Sequence, residues 1–317
     1  MTEQNAKDPF VSVIMNCYNG DKYLREAIDS VYAQSYEDWE IIIFDNGSID
    51  NTAKIANSYD SKLKYHYYEK KVTLAEARQM AFDYSKGEWL AILDQDDLWY
   101  PEKLMTQINA IKNSAYILCY TGIQDIEANG KIIRECFPKY KSGDMLENQL
   151  FQWEINNVTA LIRKDAMQKY NIFFEKNITS GEAYNLYMRL MAKGQVCTIP
   201  TILGAWRIYP GTGTERTIKN WSKERLFTLN QIKKENPGIE KLYPKAFQEA
   251  YARSIYFRVV YFMKTKNYNR AKTQMKTIST LSKKYFILYL CVHIPMAWNF
   301  IHSSIIKRKL SLKLLGY

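Results

Sequence analysis

Glu88-Trp89-Leu90-Ala91-Ile92-Leu93-Asp94-Gln95-Asp96-Asp97 is the stretch on which the fold turns. An unbroken apolar run of this length, bounded by polar residues, reads as a strand buried on both faces. It gives way at once to carboxylates. Such a strand concentrates negative charge at one point, and hard oxygen donors suit Mg²⁺ or Mn²⁺. A cation there would bridge phosphate oxygens and offset charge on a diphosphate leaving group. A D-x-D pair alone is common in loops, and Asp97 can equally cap the helix that Pro101 opens.

The flanking segments repeat the pattern. Val11–Met15 is a short apolar run followed by Asn16-Cys17-Tyr18-Asn19-Gly20. Glu40–Phe44 is another, ending in Asp45-Asn46-Gly47-Ser48-Ile49-Asp50. Leu63–Tyr67 and Tyr116–Tyr120 read as further strands. Helical patterns lie between them: Tyr23 to Val31, Thr52 to Tyr59 behind Asp50 or Asn51 as cap, Thr73 to Tyr84, and Pro101 to Lys112. Thr73 and Glu76 form a capping box. This alternation predicts an α/β fold, a mostly parallel central sheet with flanking helices. Ligands of such sheets bind beyond the carboxyl ends of the strands. Three of those ends carry polar clusters here, at 16–19, 45–50 and 94–97.

After residue 120 the pattern changes. Asn129-Gly130, between Ile123–Glu127 and Lys131–Phe137, predicts a hairpin. Glu147–Trp153, Arg163–Tyr170 and Ala183–Ala192 read as helices, and Val196–Ile199 and Ile202–Ile208 as two strands. Ser222–Lys234, Tyr243–Lys264 and Asn269–Lys283 read as helices. The expected organisation is an α/β domain over 1–220 and a helical, basic C-terminal region over 221–317.

Of the 317 residues 47% are hydrophobic and 24% charged, which excludes a disordered chain. The net charge of +11 is unevenly placed: no Asp or Glu follows Glu249, and thirteen of the 44 Lys and Arg lie in 251–317. The rest is close to neutral, so it lacks the basic face that a nucleic-acid partner requires, and none is expected. A basic tail beside the apolar stretch Tyr285–Ile306 points instead to an anionic membrane surface. Pro295 interrupts that stretch, so it is expected to lie in the membrane interface rather than cross it. The alternative is a helical hairpin packed on the body. Five scattered cysteines without C-x-x-C fit reduced thiols, and no apolar signal core lies within Met1 to Pro9. The expected location is cytoplasmic, peripheral on the inner face of the cell membrane. Neither G-x-G-x-x-G nor G-x-x-x-x-G-K occurs, which excludes those nucleotide-binding loops.

Asn16–Gly20, Asp45–Thr52, Leu74-Ala75-Glu76-Ala77-Arg78 and Leu93–Trp99, in this order and spacing, resemble the family 2 glycosyltransferases of the GT-A fold. The resemblance covers roughly the first 210 residues. It implies an inverting transfer from a nucleotide-sugar donor, a UDP-sugar in many relatives, to a saccharide or lipid-linked saccharide acceptor. It also implies roles. Tyr18 and Asn19 match the loop that cradles the base of the donor. Asp45 matches the acid that binds base or ribose, and Arg78 a basic position near the diphosphate. Asp94 and Asp96 match the metal-binding D-x-D, with Asp96 foremost as ligand of Mg²⁺ or Mn²⁺. Trp99 matches an aromatic beside the sugar, for which core packing is the plain alternative.

Three positions depart from the family pattern. Asn46 stands where many relatives have Asp. In Ser180-Gly181-Glu182-Ala183-Tyr184-Asn185-Leu186 the family's catalytic Asp falls on Ala183, which cannot take a proton; the adjacent Glu182 becomes the candidate base. Tyr209 in Trp206-Arg207-Ile208-Tyr209 replaces a His, while Arg207 remains to neutralise phosphate charge. A rival expectation follows from Ala183 and Tyr209, a catalytically silent, membrane-associated nucleotide-sugar binder.

Overall fold

The computed structural model describes residues 10–209 and 213–302, the side chains of 213–216 excepted. β1 (Val11–Cys17), β2 (Trp39–Asp45), β3 (Leu63–Tyr67), β4 (Trp89–Ile92), β5 (Leu98–Trp99), β6 (Leu118–Ile126), β7 (Ile132–Cys136), β8 (Leu161–Arg163) and β9 (Val196–Arg207) build one nine-stranded sheet. Its order is β3-β2-β1-β4-β8-β6-β9-β5, with β7 paired to β6. Strands β3, β2, β1 and β4 are mutually parallel. β8 runs antiparallel to both β4 and β6, and β5 antiparallel to β9, while β6 and β9 are parallel. The sheet is thus of the expected α/β kind but mixed, and its parallel half carries the three polar strand ends.

Helices α1 (Leu24–Tyr32), α2 (Thr52–Ala56), α3 (Leu74–Tyr84) and α4 (Lys103–Ile111) connect these strands. α1 buries Leu24, Ala27, Ile28 and Val31, the i, i+3, i+4, i+7 positions that face a core. Thr73 caps α3, its Oγ1 accepting from Glu76 N at 3.2 Å. At α2 the side-chain acceptor is Asp50, whose Oδ1 takes Thr52 N at 3.0 Å. Val11, Val13, Ile14 and Met15 of β1 are fully buried. Each such side chain is worth about 1.5–3 kcal/mol relative to exposure. Gly87 lets the chain pass β1: a Cβ there would sit 2.4 Å from Ser12 N.

By packing, the described residues divide into two compact units. The first comprises residues up to Met145 together with those from Ile155 to 209, and holds the whole sheet. It includes α6 (Lys164–Lys169) and α7 (Glu182–Met191), and the second unit takes α5 (Leu146–Phe151). Two expectations need correction here. Arg163 closes the short strand β8 instead of opening a helix. Val196–Ile199 and Ile202–Ile208 are one strand, because the register against β6 slips past Pro200 and Thr201. A bulge at that point absorbs the proline without ending the strand.

The second unit continues with α8 (Gly213–Glu235), α9 (Ile239–Leu242), α10 (Pro244–Lys264), α11 (Tyr268–Lys276), α12 (Lys283–Val292) and α13 (Pro295–Ile301). The helix expected over Asn269–Lys283 stops at Lys276, and Ser282 caps α12 by accepting from Tyr285 N at 3.3 Å. Tyr256, Phe257, Val259, Met275, Tyr285 and Trp298 form its core. Glu249 of α10 ties α12 down by accepting from Tyr285 Oη and Lys284 Nζ, each at 2.8 Å. Tyr285–Ile306 becomes two short helices split at Pro295, and its residues from 303 on lie outside the described part. No described helix is long and apolar enough to cross a membrane.

Candidate active site

The carboxyl ends of β1, β2 and β4 meet along one edge, and backbone donors knit them together. Asn19 N donates to Ser48 Oγ at 2.9 Å, and Ile49 N returns a bond to Asn19 Oδ1 at 3.0 Å. Gly20 N donates to Thr52 Oγ1 at 3.0 Å. Asn19 has φ +49°, a left-handed turn conformation that Asn tolerates. Tyr18, 44% exposed, turns its ring outward beneath the Lys71 ammonium, 3.4 Å from the ring centroid. Asp45 is fully buried: Oδ1 accepts from Ser48 N at 2.8 Å and Oδ2 from Tyr65 Oη at 2.7 Å. Burial, and then the Asp45 carboxylate, push the Tyr65 phenol above its ordinary pKa. Asn46 pairs with the backbone of Val72 in both directions, at 3.0 and 2.9 Å.

Asp94 and Asp96 follow β4 at the same edge. Gln95 between them binds the opposite loop, accepting from Tyr18 N at 2.9 Å and donating to Tyr18 O at 3.4 Å. Asp94 Oδ1 accepts from Arg78 Nη2 at 2.5 Å, and Arg78 Nη1 donates to Glu182 Oε1. Arg78 is 1% exposed; burial opposes its charge, but Asp94 and Glu182 outweigh this and hold its pKa above the usual value. The second oxygen of Glu182, Oε2, is buried without a hydrogen-bond partner. Tyr209 Oη donates to Asp96 Oδ2 at 2.7 Å. Burial and then the neighbouring Asp94 charge raise the proton affinity of Asp96. Asp97 points inward instead, accepting from Arg207 N at 2.9 Å, and burial raises its pKa well above the carboxylate range.

Four expected donor contacts are placed behind the surface: Asp45 has both oxygens bonded within the protein, Arg78 is held between Asp94 and Glu182, and Trp99 and Arg207 are buried as well. Trp99 is a core side chain, 3% exposed, with Nε1 donating to Val158 O at 2.9 Å, so its ring offers no face to a sugar. Arg207 is 2% exposed, and its guanidinium donates to Asp96 O, Ala128 O and Glu26 Oε2 at 2.9, 2.9 and 2.7 Å. It braces the acidic loop from behind. Tyr18, Asn19, Asp45, Arg78, Asp94, Asp96 and Glu182 are brought together on the three loops, α3 and α7. Sequence reading missed Gln95 and Tyr65. Gln95 had a signal in its place between the two acids; Tyr65, inside a strand pattern, had none.

Among the described residues no three His, Cys, Asp or Glu side chains converge on a self-sufficient metal site. The donor set still fits Mg²⁺ or Mn²⁺. Such ions are commonly held by one or two carboxylates, with substrate phosphates and water completing the shell. Asp94 and Asp96 are close enough for one charge to raise the pKa of the other, which is the field a cation relieves.

Comparison with known proteins agrees with this geometry. The family described as glycosyl transferase family 2 matches residues 12–170, half of the chain. An uncharacterised glycosyltransferase of Methanocaldococcus jannaschii is 30% identical over 233 residues, 71% of this chain and 79% of that one. The Escherichia coli UDP-Glc:alpha-D-GlcNAc-diphosphoundecaprenol beta-1,3-glucosyltransferase WfgD is 28% identical over 61% of this chain and 74% of its own. The chain spans 40% of the length of a Rickettsia felis relative that it matches at 29% identity. Among solved structures, Staphylococcus aureus TarS 1-349 in complex with UDP-GlcNAc superposes with TM-score 0.70 at 17% identity, over 97% of this chain and 92% of that one. The shared architecture, the family match and the M. jannaschii relative lead to one conclusion: the chain belongs to glycosyltransferase family 2.

Proposed function

We propose that the protein transfers a sugar from a UDP-sugar to a hydroxyl of a saccharide or lipid-linked saccharide, with inversion at the anomeric carbon. The products would be surface polysaccharides or glycolipids built on the cytoplasmic side of the membrane. The observation that carries this reading is the pair Asp94 and Asp96 at the end of a buried strand, clasped by Gln95 to the loop of Tyr18 and Asn19. The names of two similar proteins support the donor and acceptor classes: the E. coli relative uses UDP-Glc on a diphosphoundecaprenol-linked sugar, and TarS binds UDP-GlcNAc.

In this mechanism Tyr18 offers its exposed ring to the base, and Asp45 fixes the turn beneath it through Ser48. Asp94 and Asp96 would hold Mg²⁺ or Mn²⁺ together with the diphosphate; bound there, the ion supplies positive charge against the leaving group. Arg78 orients Asp94 and Glu182 on either side of one guanidinium. Glu182 is the candidate base: its Oε2 has no partner but lies buried, so it takes the acceptor proton only once bound substrates open a path to it. The test is UDP release from UDP-glucose and UDP-GlcNAc with Mn²⁺ and with EDTA, using Asp96→Asn as control. Release that survives both EDTA and the substitution would overturn the reading. A silent binder is the second reading, favoured by Ala183; UDP binding without turnover on any lipid-linked acceptor would establish it.

A further inference from the structure

α12 and α13 are apolar on two opposite faces. Tyr285, Leu288 and Val292 of α12 and Trp298 of α13 turn into the core of the second unit. Phe286, Ile287 and Leu290 lie on the other side of α12, 52%, 49% and 51% exposed. Ile294, Met296 and Phe300 extend the exposed set at 59%, 83% and 68%. A helix at a water-facing surface ordinarily shows polar residues on its outer side, and clustered apolar exposure marks a place of contact.

The charge of the same stretch of chain selects the partner. Residues 251–302 carry nine Lys and Arg and no Asp or Glu. Lys264, Lys266, Arg270, Lys276 and Lys283 are exposed. A second copy of the chain would bring the same surplus of Lys and Arg against it, with Glu249 of α10 already engaged by Lys284 and Tyr285. Anionic phospholipid offers both complements at once, negative headgroups for the lysines and acyl chains for the apolar side chains. Ten residues of helix reach about 15 Å, half a hydrocarbon core, and Pro295 breaks the run. These helices therefore suit an in-plane position at the headgroup boundary.

We propose that the outer face of α12 and α13, centred on Phe286, Leu290, Ile294, Met296 and Phe300, is an anchor that inserts into the interface of anionic membranes. Partition to vesicles needs neither donor nor acceptor, so its failure would leave the transfer reaction untouched.

The experiment is co-sedimentation of the full chain with vesicles of phosphatidylglycerol and phosphatidylcholine in equal parts, and of phosphatidylcholine alone, with analytical ultracentrifugation of the free protein. The wild type should sediment with the mixed vesicles and at least tenfold less with phosphatidylcholine. Phe286→Ser/Leu290→Ser/Phe300→Ser should lower partition to mixed vesicles at least tenfold at unchanged circular dichroism. Ile294→Asp/Met296→Asp, at two of the most exposed positions, gives a second variant with the same expected loss if the first fails to fold. Equal partition of the wild type and the folded variants would overturn the anchor and leave binding to charge alone. A stable dimer of the free wild type that both variants dissociate would overturn it in favour of a second copy. No partition of the wild type to either vesicle would overturn it outright.

Discussion

Arg78 of α3 and Glu182 of α7 stand 104 residues apart in sequence, yet they form an ion pair that solvent barely reaches. The same guanidinium holds Asp94, whose side chain is 34% exposed, so a single buried cation joins a half-open acid to a closed one. Arg78→Met would strand Glu182 without its partner. Breaking a buried pair from one side costs on the order of 3–5 kcal/mol, while replacing both partners by apolar groups is close to neutral. Urea unfolding should show a large loss for Arg78→Met and most of it restored in Arg78→Met/Glu182→Met. Equal losses in the two would mean that the pair is not what holds α3 and α7 together.

Proton acceptance gives the second prediction. Glu182→Gln keeps size and hydrogen bonding while removing the basic oxygen, so turnover should fall roughly 10²–10⁴-fold with UDP affinity unchanged. Ala183→Asp, one residue further along α7, adds a carboxylate where the family pattern has one and should raise turnover of wild type. Initial rates with saturating donor decide both. A drop in the Ala183→Asp variant together with an unchanged Glu182→Gln would place the base elsewhere.

Stability should rise with pH above neutrality because of Lys103. It is fully buried, its Nζ donating to Gln107 Oε1 at 2.6 Å and lying 4.0 Å from the Trp99 ring centroid. Burial lowers its pKa from 10.5 to about 7. Between these two values the unfolded chain holds a proton that the folded chain has released, so folding becomes more favourable as pH rises through that window. From pH 7 to 8.5 the gain is on the order of 1–2 kcal/mol. Lys103→Met should be more stable at pH 7 and should lose the slope. Chemical denaturation at four pH values reads this directly, and a flat wild-type profile would contradict it.

Gln95→Ala removes both bonds to the Tyr18 backbone while leaving the two acids. UDP affinity should fall about tenfold by calorimetry, the equivalent of roughly 1.4 kcal/mol, within the range for two exchanged hydrogen bonds. The melting temperature should hardly move, since these atoms lie at the surface edge of the sheet. An unaltered affinity would separate the acidic loop from nucleotide binding.

Long buried strands were legible in the sequence because apolar runs such as Val11–Met15 and Glu40–Phe44 are too short for a helix and stop abruptly at polar residues. β5 and β8 were not, since two and three residues carry no periodicity. Pro200 hid the continuity of β9, because a proline reads as a break wherever a bulge is not anticipated. At the site, residue types announced the acids but not their orientation. Asp97 and Asp96 are neighbours of identical chemistry, and only the backbone turn sends one into the Arg207 amide and the other to Tyr209. Trp99 and Arg207 look like ligand contacts in a string of letters and become core and brace once Val158 and Glu26 arrive from distant segments.

The clasp between Gln95 and Tyr18, with the Asn19–Ser48 bridge beside it, also constrains how such proteins can be recombined. A graft of the acidic turn alone would bring Gln95 to a foreign loop in place of the Tyr18 backbone it binds, and a graft of the Tyr18 loop alone would lose its grip on both neighbours. Donor preference should therefore travel between homologues only when residues 16–20, 45–52 and 94–97 are exchanged as one cassette. Libraries that shuffle these segments independently should be depleted of active members in proportion to how often the three come from different parents.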